Sequence, residues 1–559
     1  MNAKKTQRGF VALLLAITSA CAAAPAARVR YANRDPIWQV MDQRLIRQPE
    51  VREFSVVDKV QTMYMVPVID GLGFPGFETA HNINAIGEVP NSSWWTNRIG
   101  VRDVTPEELA IGPGAGMPAP EPPFTIKRTK VGGMGIGFIV EDAAGNAHIM
   151  KFDDPLFPEG ESAADIILAR LLWGVGYFTP DDQIIHFRRD QLIIDEGAVR
   201  ENQFGDEVPL DDEHLDQTLA LVNRPDENGV YRGFTSRFLD GVVIGGYPMQ
   251  GRRGDDPNDR IDHEHRRDVR AQGVFLAWLD QADIKEDNTL DMWVPVRDEA
   301  ELGYVRHHLV DFGRGLGTFG AHDKRPWIGW APQFDWGYFA GSLVTFGLWQ
   351  RPWDGVRASR LPAIGRYSVD AYEPQLWAPN RLWFPLRRMD RLDAFWASKI
   401  IMRYDREHIE AVVAVAELSD PRSSEYLVEQ ILARQRKTAR HWFQGTAPFD
   451  GFRIEATEAG DHRVCATDLW RYYGFDELPV SYRFTAYDHA GEALSWESEP
   501  RADDAGRLCA DGLPHGLTHE DYTIVRMDLT RGDDELPATL VHFARNDEDE
   551  LRLIGVHRL

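Results

Sequence analysis

The stretch from Asp283 to Gly313 constrains the fold more than any other part of the chain. Asp283-Ile284-Lys285-Glu286-Asp287-Asn288 leads into two strand-like runs, Thr289 to Val294 and Gly303 to Val310, followed by Asp311-Phe312-Gly313. Two such runs with a loop between them predict a hairpin. A hairpin returns the chain to its starting point, so a carboxylate, an amide five positions on and a second carboxylate gather on one rigid support. A carboxylate so placed can orient a hydroxyl, and an amide–carboxylate pair can hold metal ions on phosphates.

Upstream residues suit the same chemistry. Lys127 to Val131 and Phe138 to Glu141 read as strands joined by Gly132-Gly133-Met134-Gly135-Ile136-Gly137. Ala144-Gly145-Asn146 then turns the chain into a third strand, His148 to Phe152. Glycines between paired strands let backbone N–H groups approach phosphate, although a tight hairpin alone would use the same residues. Lys151 on the third strand gives that turn its weight. From Ser162 to Gly174, apolar residues recur at helical spacing. Glu161 and Asp165, four residues apart, can point the same way off the start of this helix.

In order and spacing together, the Gly-rich turn, strand lysine, helix acid, Asp-x-Lys-x-x-Asn, hairpin and Asp-Phe-Gly resemble the protein-kinase-like fold over roughly residues 124–445. The match is a divergent one: Gln281-Ala282 stands where His-Arg is usual, and Gln333 replaces the acid of the closing motif after Ala331-Pro332. The resemblance implies an α+β protein with a two-lobed core. Its N-lobe spans 124–250 with an acidic insertion at 195–229, and its C-lobe spans 251–445. It further implies ATP with Mg²⁺ or Mn²⁺ as cofactors. Lys151 would position the phosphates, Gly132, Gly133, Gly135 and Gly137 would flank the nucleotide, and Glu161 or Asp165 would pair with Lys151. Asp165 has the better helical position and Glu161 the longer reach. Asp283 would orient the acceptor hydroxyl, Lys285 would neutralise charge on the transferred group, and Asn288 and Asp311 would hold metal. The acceptor, a protein or a small molecule, is left open. A non-catalytic envelope protein that keeps the kinase shape as a scaffold is the competing reading.

At 559 residues two or three globular units are expected. The 87 acidic residues outnumber 62 basic ones, and a net charge of -25 argues against sequence-independent binding to nucleic acid. Lys4, Lys5 and Arg8 precede an apolar run, Phe10 to Ile17, with small residues following to Ala27. Residues 1–27 therefore read as an export signal, which directs the protein to the periplasm or cell envelope. Cleavage before a lipidated Cys21, the only membrane attachment expected, and ordinary cleavage within Cys21 to Ala27 stand as alternatives.

Residues 28–123 read as an N-terminal extension and linker in which Trp94 and Trp95 pin a loop to the core. Thr105-Pro106-Glu107-Glu108 is a helix start with a capping box. A helix is expected from His265 to Leu279; His263 and His265, two apart, do not face one way and are not expected to share a metal. Asp291 is expected to pair with Arg266 or Arg267, or with the loop itself. Phe334 to Trp353 is expected to begin a large helical core, and the basic residues from Arg434 to Arg440 to follow the dipole preference of a helix end. Residues 447–559 alternate or run apolar between Gly/Asp-rich turns and read as an all-β, sandwich-like domain. An exported chain permits a Cys465–Cys509 bridge, and two buried thiols fit the spacing equally well.

Overall fold

The computed structural model describes residues 29–53, 65, 78–130, 135–222, 224–297, 300–320, 322–332, 335–458, 461–475, 478–514 and 522–559. Cys21, the export-signal stretch, Gly132, Gly133, Gln333 and Phe334 lie outside the described residues. The architecture is mixed α and β, with a central sheet and a C-terminal antiparallel β region. Two compact units form: one from Trp38–Ile83 and Val89–Phe443, the other from 29–37, Asn84–Glu88 and Gln444–Leu559.

In the first unit, helix α1 (Pro106–Ile111) starts with the expected cap: the Thr105 side chain accepts a bond from the Glu108 N–H, and Pro106 takes a position whose N–H would go unused. The Glu108 carboxylate, however, turns to Arg102 and does not close the expected capping box. Next come β1 (Phe124–Thr129), β2 (Gly137–Glu141), β3 (Ala147–Lys151), α2 (Gly160–Val175), β4 (Asp182–Arg188), β5 (Leu192–Glu201), β6 (Glu207–Pro209), α3 (Asp212–Leu219) and β7 (Val230–Arg237). The seven strands pair in the order β4-β7-β3-β2-β1-β5-β6, parallel only between β1 and β5. The acidic stretch 195–229 is thus partly sheet. Only Leu192 and Ala198 of β5 are buried, so a strand that faces water on most positions carries a polar sequence.

Helix α2 is buried on every side except at Glu161 and Trp173. Its internal Arg170 must therefore be satisfied within the protein, and it donates to the carbonyls of Ala110 and Asp182. Beyond β8 (Val242–Val243), the helix expected from His265 to Leu279 is interrupted. A 3₁₀ turn at His263–His265 and an extended Arg266, whose guanidinium lies 4.3 Å from the Trp94 ring centre, precede α4 (Arg267–Arg270) and α5 (Gln272–Leu279). Strands β9 (Thr289–Pro295) and β10 (Gly303–Leu309) form the expected hairpin, in the order β10-β9-β8.

The helical part continues through α6 (Trp336–Val344), α7 (Phe384–Arg387), α8 (Arg391–Ile401), α9 (Arg406–Ala414) and α10 (Pro421–Gln444). Trp95, Trp278, Trp383 and Trp396 are its largest buried apolar side chains. Two expectations are corrected. Arg434 lies inside α10 rather than near its end, is buried, donates to the Trp278 and Ala277 carbonyls, and stacks 3.7 Å from the Tyr372 ring centre. Its role is packing, not dipole compensation. The stretch around α6 does not open a core, because Phe339, Leu343, Val344, Phe346 and Leu348 are exposed.

The second unit holds β11 (Phe449–Ala456), β12 (His462–Asp468), α11 (Leu469–Tyr472), β13 (Val480–Tyr487), β14 (Ala493–Ser498), β15 (Arg507–Ala510), β16 (Thr523–Arg531), β17 (Asp534–Arg545) and β18 (Leu551–Arg558). A three-stranded sheet, β11-β12-β15, and a five-stranded one, β14-β13-β16-β17-β18, share one core. Val464, Ala466 and Leu508 enter it from one sheet, and Phe484, Met527 and Val541 from the other. Cys465 and Cys509 sit opposite each other on β12 and β15 and are joined by a disulfide. Among the described residues no helix is long and apolar enough to cross a membrane.

Candidate functional site

A cleft of about 500 Å³ opens in the first unit. Its wall combines apolar side chains, among them Ile136, Ile149, Leu239, Leu290 and Met292, with Lys151, Glu161, Asp165, Asp182, Lys285, Asp311 and Arg314. Gly135 also lines it. Gly137 pairs with Lys151 across β2 and β3, and a Cβ there would meet the Met150 carbonyl oxygen at 2.2 Å.

Lys151, at the end of β3, reaches α2 and the end of the hairpin at once. Its Nζ lies 3.2 Å from Asp165 Oδ2 and 3.9 Å from Asp311 Oδ1. Burial opposes the ammonium charge, but Asp165, Asp311, Asp182 and Glu161 outweigh it and hold the lysine above its ordinary pKa. Asp165 uses its other oxygen to accept the Phe312 N–H at 2.5 Å, which ties α2 to Asp311-Phe312-Gly313. Burial raises the Asp165 carboxyl, with Lys151 pulling the other way. Of the two acids on α2, Asp165 takes the lysine. Glu161 stays in the same cleft, pushed up to about 7 by burial and by Asp165. It also closes on Gly313, where an added Cβ would come within 2.5 Å of Glu161 Cγ.

The loop after α5 supplies the other half. Asp283 is buried, and its Oδ2 accepts from Lys285 Nζ and Arg314 Nη1, both at 2.9 Å. Asn288 Nδ2 donates to the Asp283 carbonyl at 2.6 Å and so closes the loop. Asp283 Oδ1 is buried without a hydrogen-bond partner among the described residues. Gln281, in the position of the missing histidine, donates through Nε2 to the Asp311 carbonyl at 2.9 Å. This amide links the loop to the strand end. Asp311 takes a left-handed φ of 63° and is half exposed. Burial would raise its pKa, but Lys151, Lys285 and Arg314 lower it overall.

Sequence reasoning misses three members of this group. Arg314 immediately follows the Asp-Phe-Gly and could have been found from that adjacency. Lys130 lines the cleft and donates to the Gly135 carbonyl at 3.3 Å. Asp182 is buried with Oδ1 unpartnered among the described residues, and burial followed by Asp165 drives its pKa well above the usual carboxylate range. No local spacing marks it. Asp291 does not meet Arg266 or Arg267: it bonds His307 Nδ1 at 2.6 Å and lies 3.5 Å from Arg253, because the hairpin register sets Asp291 opposite His307.

Asp311 lines the cleft and offers hard carboxylate oxygens of the kind that hold Mg²⁺ or Mn²⁺, whereas Asn288 and Asp283 are buried and are not among its lining residues. A separate cluster lies at Glu78, His81 and His265, whose ligand atoms are all within 4.8 Å of one another. His81 Nε2 sits 2.8 Å from Glu78 Oε1, and the two imidazoles stack at 4.8 Å. His263 is engaged elsewhere, by Asp259 and the Pro248 carbonyl. This is a candidate metal-binding cluster whose partners for His265 come from residues the sequence reading passed over.

The chain matches no protein-family model and no curated protein. Among solved structures it is similar to the Golgi casein kinase with Mn/ADP bound, at 12% identity and a TM-score of 0.28, over 57% of this chain and 72% of that one. A second structure of the Golgi casein kinase gives 13% identity and a TM-score of 0.28 over 57% and 74%.

Proposed function

We propose that the first unit is a phosphotransferase that uses ATP and a divalent cation on a hydroxyl acceptor. The observation that carries this reading is the convergence of Lys151, Asp165 and Asp311 at one cleft, within hydrogen-bond or ion-pair reach of one another. Lys151, kept charged by its carboxylate neighbours, holds the phosphates. Asn288 and Asp311 would hold Mg²⁺ or Mn²⁺, which supplies neutralising charge to the phosphate oxygens. Asp283, whose buried Oδ1 has no hydrogen-bond partner among the described residues, would orient the acceptor and take the hydroxyl proton. Lys285 and Arg314 fix the other oxygen. The acceptor is a protein or small molecule of the cell envelope, reached by export of the chain.

Isothermal titration of the full chain with ATP, with and without Mg²⁺ or Mn²⁺, tests the reading. Metal-dependent binding is expected, and Lys151→Met should weaken it by removing a point charge while keeping an apolar stem. Absence of nucleotide binding under every metal condition would replace the enzyme with a kinase-shaped scaffold protein.

A further inference from the structure

Helix α6 begins at Asp335, whose side chain caps the Tyr338 N–H at 2.9 Å. From there to residue 350 the sequence contains no charged side chain. Such a run belongs in a core, yet its large side chains are exposed, from 58% for Phe339 to 92% for Phe346, with Leu343, Val344 and Leu348 between. Behind them Tyr338 stacks on Trp349 at 5.2 Å and meets Trp353 edge-on at 4.6 Å. Arg351 lies 5.9 Å from the Trp353 ring centre and donates to Ser342 Oγ at 2.7 Å. Asp354, exposed, accepts the Arg351 N–H at 2.9 Å, and Arg357 and Arg360, both exposed, follow. The segment therefore runs from aliphatic and phenyl groups, through aromatic rings with polar edges, to guanidinium groups.

We propose that residues 336–360 dock the protein on a lipid bilayer surface. Phe339, Leu343, Val344, Phe346 and Leu348 enter the boundary between headgroups and acyl chains, and Arg351, Arg357 and Arg360 meet anionic headgroups. Two arguments select this occupant. The segment combines exposed apolar side chains, aromatic rings and basic residues, the composition of a bilayer-interface segment. Three guanidinium groups against one carboxylate, Asp354, give this stretch a local positive charge in a chain of net charge -25, complementary to anionic lipid.

The test uses the full chain carrying Cys21→Ser, so that no acyl group contributes, in co-sedimentation with phosphatidylcholine vesicles and with vesicles of equal phosphatidylcholine and phosphatidylglycerol. Binding to both is expected, tighter with phosphatidylglycerol. Phe346→Asp with Leu348→Asp, at exposed positions that leave the core intact, should weaken binding on the order of 100-fold, with nucleotide binding unchanged. Arg357→Gln with Arg360→Gln should remove the advantage of the anionic vesicles. Failure of the parent chain to sediment with either vesicle, or equal sedimentation of the aspartate variant, would overturn the proposal. A dimer in light scattering that the aspartate variant dissolves would overturn it in favour of a second copy.

Discussion

Asp283 and Asp311 carry similar groups in opposite surroundings. Asp283 is enclosed and bound on one oxygen by two cations, whereas Asp311 projects into the cleft. Their replacements should fail differently. Asp283→Asn keeps size but loses the proton acceptor, so metal–nucleotide affinity survives while turnover falls by about 10²–10⁴-fold. Asp311→Asn removes a hard anionic ligand, so metal-dependent affinity and turnover fall together. Matched titration and phosphate-transfer assays separate the two, and equal behaviour would reject this division of roles. Glu161 offers a pH handle. Its carboxyl sits at about 7 in the folded protein against an ordinary 4.5, so the folded state holds a proton that the unfolded state releases. Stability from this group is present below pH 4.5 and lost as pH rises towards 7. Glu161→Gln should therefore gain on the parent chain across that window, by roughly 3 kcal/mol at its upper end, in thermal unfolding without metal or nucleotide. A difference independent of pH would show that Glu161 is not protonated there. The pairing of Lys151 with Asp165 is legible in the sequence because each sits at a predictable place on a regular element. Asp182 is not, since only tertiary packing brings the start of β4 to the lysine.

At the scale of elements, legibility follows solvent exposure. The hairpin β9–β10 and helix α2 read cleanly, α2 because it is buried along its length and apolar accordingly. Strands β12, β14 and β15 do not read: β14 alternates exposed and half-buried positions, and β15 is four residues long. The disulfide joins two strands of which neither was legible, which is why spacing alone left Cys465 and Cys509 undecided. It closes a loop with a sequence separation of 44 residues. Cys465→Ala with Cys509→Ala should lower the stability of the β unit by roughly 4 kcal/mol, measured by denaturant titration under oxidising conditions. In reductant the variant and the parent should coincide, and an equal loss in both conditions would point to packing instead.

For the whole molecule, the stretch read as a single N-terminal extension is divided by the fold. Residues 29–37 and Asn84–Glu88 belong with the C-terminal β unit, while α1 and the Trp94–Trp95 loop belong with the first. Tyr31 packs so closely on β18 that a Cβ at Gly555 would lie 2.2 Å from its ring. Contacts between residues more than 500 positions apart leave no local trace in a sequence. Export, expected from residues 1–27, is tested on the entire chain. Mass spectrometry of the protein recovered from cells should find a terminus at an acylated Cys21. A free terminus within Cys21 to Ala27 would reject lipidation alone, and an intact Met1 would reject export.

The contact between Gly313 and Glu161 also sets an order of events for sequence drift. While Glu161 keeps its present conformation, the first carbon added at position 313 overlaps its stem, so a side chain there requires the glutamate to shift. Position 161 is under no such restriction from Gly313, since a shorter residue only opens space. In a lineage descended from this chain, a residue larger than glycine at 313 becomes accessible after position 161 has changed, and the reverse path needs that shift first. Pairs of descendants should therefore include Gly313 with a shortened residue at 161 more often than a larger residue at 313 beside an intact glutamate.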